Sequence, residues 1–232
     1  MPARTALRLG RVSNLPTVWT NVIAGAALAT LEISWTVVVP VALAASLLYV
    51  AGMFLNDAFD ARWDAEHRPE RPIPAGEVSA RLVFQAGFGM MAAALVLLAV
   101  TAGTSALVAG VILAALIVLY DARHKNNPVA PAIMGLCRVA VYFVAASAAG
   151  HPFAPPVVAG ALFLFCYLVL ISTIARRETT DSKLPRLVGR LIAGISLVDG
   201  AQLLAAGDNW LALVCVGAFA LTLLWQRRVA GT

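Results

Sequence analysis

The chain has 232 residues, 61% of them hydrophobic and only 12% charged, with a formal net charge of +5. Soluble domains are nearer half apolar and a quarter charged, so this composition excludes an ordinary soluble domain and indicates an integral membrane protein. The basic excess gives no reason to expect a nucleic acid partner, because in such a chain it reflects loop topology and anionic lipid.

Apolar runs predict membrane-spanning helices near 16–31, 36–56, 81–101, 104–120, 129–149, 153–174, 187–206 and 209–226. That is about eight helices, some shorter than the ideal of roughly 20 residues. The alternating pattern of a β-barrel is missing, which leaves an all-α polytopic bundle. The first residues are basic, but no small-residue cleavage site follows a short apolar core, so the first helix is read as retained. With the N-terminus inside, every Lys and Arg except Arg138 falls on the cytoplasmic side. The opposite loops carry only Glu32, His151 and Asp208 as titratable groups. This satisfies the positive-inside rule and predicts a multi-pass protein with both termini in the cytoplasm. No segment outside the spans is long enough for another domain, so residues 1–232 read as a single transmembrane domain of two four-helix halves. Each half places a charged loop after its second helix, at 56–80 and 175–186; the repeat lies in hydropathy and charge, not in residue identity.

The run from Pro40 to Leu55 carries no charge, and then comes Asn56-Asp57-Ala58-Phe59-Asp60-Ala61-Arg62-Trp63-Asp64. On a helix, Asn56, Asp57, Asp60 and Asp64 follow three- and four-residue steps and share one face. Carboxylates that close repel one another and resist desolvation, so a cation is expected among them. A hard ion such as Mg²⁺ suits an oxygen-only set and keeps positions open for substrate phosphates.

The loop continues through His67, Arg68 and Arg71, with prolines at 69, 72 and 74 that break any helix and stiffen the backbone. Arg68 and Arg71 are planar bidentate donors beside the acidic ladder, suited to clamping a diphosphate. His67 reads as a solvated loop residue. After the fourth helix, Tyr120 and Lys125 offer a phenol and an ammonium to the same phosphate, and ordinary interfacial chemistry explains them equally well. Arg138 lies inside the fifth span, where a guanidinium needs an acid or the edge of a polar cavity. After the sixth helix, Glu178 and Asp181 stand at i,i+3, with Arg177 beside them, enough to hold a second cation facing the first ladder. Asp199 and Gln202 are further polar residues within the seventh span. Cys137, Cys166 and Cys215 fall in spans without metal-ligand spacing and read as buried small hydrophobes.

The string Asn56-Asp-x-x-Asp60-x-x-x-Asp64 followed by Arg68-Pro-x-Arg71-Pro-Ile-Pro-x-Gly76-x-Val-Ser79 resembles the first aspartate-rich motif of the UbiA superfamily of intramembrane prenyltransferases. Tyr120 to Lys125 is similar to that family's Tyr/Lys element. Finer details, Tyr120-Asp-Ala-x-x-Lys125, Met134-Gly-Leu-Cys-Arg138 and Arg177-Glu178, resemble the UbiA-like proteins of ebo gene clusters in bacteria and algae. The resemblance implies a helical bundle in a bacterial inner membrane that binds Mg²⁺ and an isoprenoid diphosphate donor, then prenylates an acceptor in the membrane. It implies metal ligation by Asn56, Asp57, Asp60, Asp64, Glu178 and Asp181, with Asp60, Asp64 and Asp181 essential to catalysis. Arg68, Arg71, Tyr120, Lys125 and Arg177 would hold the diphosphate. Where the family usually carries two aspartates four apart in its second motif, this chain has Glu178-x-x-Asp181. Two alternatives stay open: cyclisation or hydrolysis of the donor without an acceptor, or binding and carriage of a phosphorylated isoprenoid without catalysis.

Overall fold

The computed structural model describes residues 1–30, 32–125, 127–175 and 184–229, and these form helices joined by short turns, with no strand among them. Amphipathic α1 (Ala3–Leu9) leads through a 3-10 turn at Val12–Asn14 into α2 (Leu15–Ala29). Then follow α3 (Trp35–Phe59), α4 (Ala61–His67), α5 (Ala80–Thr101), α6 (Gly103–Arg123), α7 (Ala130–Ala148) and α8 (Pro155–Ala175). The chain closes with α9 (Leu184–Ala193), α10 (Ile195–Ala205) and α11 (Asn209–Gln226). Local chemistry sets several starts. Prolines occupy the first turn of α2 and α7, where no intrahelical N–H is lost. Ser79 and Asp208 cap α5 and α11 by accepting from the amides of Leu82 and Leu211.

Among the described residues, seven helices are long and apolar enough to cross a membrane: α3, α5, α6, α7, α8, the joined α9–α10 segment and α11. The protein is therefore an integral, multi-pass membrane protein. The first expected span, α2, has 15 residues and a length of about 22 Å. It is the most enclosed helix, packed among α3, α7, α10 and α11. Gly25 makes this enclosure feasible: a Cβ there would lie 2.7 Å from the Tyr142 carbonyl oxygen, so only glycine allows α2 to approach α7 so closely. The seventh expected span is broken at Gly194, where the Tyr167 hydroxyl enters and donates to the Leu191 carbonyl at 2.9 Å. A side chain inserted into the hydrogen-bond ladder is a common cause of such a break.

Large apolar side chains such as Val100, Leu162 and Leu213 point outward, as lipid rather than water requires. Cys215 is buried and Cys137 half-buried, but Cys166 is exposed on the outer face of α8. The expectation of burial fails there because the lipid, not the core, is its apolar surrounding. The charged loop after α3 is held down from the N-terminal side. Thr5 and Arg8 on α1 bond Glu77 at 2.7 and 3.0 Å, and Leu9, Phe54, Val78 and Val83 form a small apolar cluster beneath it. The second charged loop, with Arg177, Glu178 and Asp181, lies outside the described residues.

Candidate active site

The acidic ladder forms as its spacing requires. α3 and α4 are nearly continuous, because Asp60 keeps right-handed helical dihedrals and the bonds Asp60 N–H to Asn56 O and Asp64 N–H to Asp60 O bridge the junction. Asn56, Asp57, Asp60 and Asp64 therefore share one buried face, and Asp64 is only 1% exposed. Buried carboxylates in such proximity need compensation. Side chains supply it. Arg71, carried by the proline loop, donates from one nitrogen to Asp57 at 3.0 Å and to Asp64 at 3.1 Å. Arg11 reaches the same Asp57 oxygen at 3.2 Å. Lys125 lies 2.9 Å and His124 3.4 Å from Asp60.

The electrostatic balance at Asp60 follows from these contacts. Burial alone would raise its carboxyl, but hydrogen bonds from His124 and Lys125 outweigh burial and hold it below the ordinary carboxylate range. In return the bond to Asp60 raises the His124 imidazole above its ordinary value, against the effect of burial. Trp63 organises the cations on the outer side: its ring lies 4.3 Å from the Lys125 ammonium and 5.6 Å from the Arg68 guanidinium. His67 stacks on Trp63 and is exposed, as its loop position implied.

Among the described residues, two buried carboxylate oxygens have no hydrogen-bond partner: Asp64 Oδ1 and Asp121 Oδ2. Asp121, on the last turn of α6, accepts from the Asn56 amide at 3.1 Å. Bare buried oxygens in an oxygen-only donor set suit a hard divalent cation. Among the described residues no three Asp, Glu, His or Cys side chains converge closely enough to hold a metal by themselves.

Behind this rim lies a hollow of about 210 Å³. Arg11, Tyr120 and Asp121 line its charged end, and Val18, Leu48, Leu113, Ile117 and Leu168 line its apolar walls. Of the expected site residues, the structure thus brings together Asn56, Asp57, Asp60, Asp64, Arg71, Tyr120 and Lys125. Arg68 sits farther out, on the exposed face of Trp63. Sequence reasoning missed the roles of Arg11, His124 and Asp121. Arg11 read as one more positive-inside residue, although its left-handed backbone (φ 42°) aims it at Asp57. Asp121 and His124 lay within the Tyr120–Lys125 string, but spacing gave no sign that they face α3.

Comparison with known proteins agrees with this geometry. A family model described as the UbiA prenyltransferase family matches residues 17–231. A digeranylgeranylglyceryl phosphate synthase of Methanopyrus kandleri is 29% identical over 204 residues, covering 88% of this chain and 73% of that protein. The corresponding synthase of Methanoregula boonei is 43% identical over 84 residues, which span 35% of this chain and 29% of that protein. A UbiA homolog from Archaeoglobus fulgidus, solved bound to DMAPP and Mg²⁺, superposes with a TM-score of 0.65 at 18% identity, covering 97% of this chain and 86% of that one. The apo structure of a UbiA homolog from Aeropyrum pernix K1 gives 0.61 at 20% identity, over 95% and 90%. At such identities the solved structures establish the fold.

Proposed function

This chain belongs to the UbiA prenyltransferase family, and from that premise we propose that it transfers a prenyl group from an isoprenoid diphosphate to an acceptor within the membrane, with Mg²⁺. The observation that carries this reading is the position of the acidic ladder. Asn56, Asp60 and Asp64 stand on one buried face, with a bare carboxylate oxygen on Asp64, and Asn56 bonds Asp121, which lines the charged end of an apolar hollow.

Asn56, Asp60 and Asp64, with Glu178 and Asp181 from the second loop, would hold the metal, and Asp57 shapes the site by anchoring Arg11 and Arg71. Bound Mg²⁺ would neutralise the diphosphate and ease its departure as negative charge grows. Arg71, Lys125 and Tyr120 supply donors to the phosphate oxygens, and Arg68 and Arg177 add charge at the rim. Lys125 is already poised, set between Asp60 and the Trp63 ring. Fixed donors of this kind act without reorganisation at the moment of bond cleavage. The apolar walls enclose the prenyl tail and exclude water that would otherwise capture the reacting allylic carbon.

The curated relatives named above support a glyceryl phosphate lipid as acceptor. Kinship with the ebo-cluster branch rests on the short strings at Tyr120–Lys125 and Met134–Arg138. The clustering of basic residues on one side supports a cytoplasmic mouth and cytoplasmic termini in a bacterial inner membrane. Residues 1–232 act as one domain in this reading.

The test uses purified protein in nanodiscs with Mg²⁺, geranylgeranyl diphosphate and geranylgeranylglyceryl phosphate. The expected result is an acceptor heavier by one prenyl group, with one inorganic diphosphate released per product and no reaction after chelation. Diphosphate release without an added group would favour cyclisation or hydrolysis. Donor binding with no release would mark a carrier.

A further inference from the structure

α2, α7 and α10 share a polar cluster where membrane helices are otherwise apolar. The Asn21 amide nitrogen donates to both oxygens of Asp199, at 3.1 and 2.8 Å, and the Tyr142 hydroxyl donates to the same carboxylate. The Asn21 amide oxygen turns the other way and accepts from Arg138 at 3.0 Å. Thr17 accepts a second guanidinium N–H at 2.9 Å, and the Tyr49 ring centre lies 5.3 Å from the guanidinium carbon. Asn21 and Asp199 are fully buried. These contacts fix the guanidinium firmly.

The open side of Arg138 faces the hollow. The residue sits eight positions inside α7, or about 12 Å along the helix axis, yet it is only half-buried because it lines the cavity. A guanidinium carries five N–H donors, and Asn21 and Thr17 take two of them. Among the described residues no carboxylate lies within ion-pair distance of Arg138, and Asp199 is reached only through Asn21. A fixed cation on the wall of an apolar cavity gains strongly from an anion that enters. The planar fork matches a phosphate monoester or carboxylate.

We propose that Arg138 is the recognition point for an anionic group on the acceptor, of the phosphate monoester or carboxylate class. Thr17, Asn21 and Asp199 are the positioning residues that present it. This inference rests on the prenyl-transfer reading, and it separates acceptor recognition at Arg138 from donor recognition at Arg71 and Lys125. It also gives the buried Asn21–Asp199 pair a purpose beyond joining three helices.

The test fills the donor site of wild-type protein in phosphatidylcholine nanodiscs with Mg²⁺ and geranylgeranyl S-thiolodiphosphate, which does not react. Decyl phosphate and decanol are then titrated by calorimetry. Decyl phosphate is expected to bind about tenfold more tightly, the scale of one or two charge-assisted hydrogen bonds. Arg138→Gln is expected to erase that preference and Arg138→Lys to keep part of it, with donor-analogue binding unchanged in both. Equal binding of the two amphiphiles by wild-type protein would overturn the proposal, and so would a preference that survives in Arg138→Gln. The wild-type comparison needs no variant to fold. Failure of the donor analogue to bind would instead count against the prenyl-transfer reading, and the decyl pair titrated without it would still decide the role of Arg138.

Discussion

Asp60→Asn is expected to lower Mg²⁺-dependent turnover of geranylgeranyl diphosphate by about a thousandfold, the scale seen when one group that stabilises a developing charge is lost. The substitution keeps the shape of the side chain and removes its charge. Asp60 stands at the α3–α4 junction, its carboxylate facing Lys125 and His124. An amide there holds a divalent ion poorly and no longer orients the ammonium. Folding should survive, because the helix continues through backbone bonds that the side chain does not make. Diphosphate release in single-turnover assays gives the readout. Turnover within a few fold of wild type would remove Asp60 from the metal set.

Arg71→Ala is expected to be the most destabilising single change in the charged loop, by about 3 kcal/mol. Arg71 is the cation shared by Asp57 and Asp64, whose side chains are 9% and 2% exposed. Asp57 keeps Arg11 when Arg71 is lost. Asp64 keeps no ion pair among the described residues. A stranded buried carboxylate must take up a proton or draw in water, and either change opens the loop. Arg71→Lys should recover part of the loss, since an ammonium keeps the charge on a flexible four-carbon stem but lacks the planar fork. Arg68→Ala serves as the contrast, because an exposed cation on an aromatic face is worth well under about 1 kcal/mol. Thermal unfolding in mild detergent measures all three. Equal melting temperatures for Arg71→Ala and Arg68→Ala would show that Arg71 does not lock the ladder.

Much of this site was legible because its chemistry is local in sequence. Asn56, Asp57, Asp60 and Asp64 lie within one helical stretch, so period alone put them on one face. Arg71 follows seven residues later on a loop that its prolines stiffen. What spacing could not give was the identity of the first compensating cations. The repulsion argument called for a cation without naming its source, and in the structure Arg11, Arg71, His124 and Lys125 stand against the carboxylates. Arg11 and Asp121 come from segments far from Asn56 in sequence, and only packing of α1, α3 and α6 brings them in. The same limit applied to Arg138. A guanidinium within a span signalled an acid or the edge of a polar cavity, and the structure sets it at a cavity wall with an amide relaying to Asp199, a relay that spacing does not reveal. In the fold, hydropathy located the spans, and what it could not give is that α2 is the most enclosed of these helices, packed among α3, α7, α10 and α11.

The central claim is that the buried oxygens of Asn56, Asp60 and Asp64 share a divalent cation with a diphosphate. Crystals grown with Mn²⁺ and the unreactive thiolodiphosphate donor, measured at the manganese absorption edge, test it directly. An anomalous peak is expected in coordination contact with Asp60 and Asp64 and with the diphosphate oxygens. A well-ordered donor analogue with manganese elsewhere, or with none beside Asn56, Asp60 and Asp64, would contradict it.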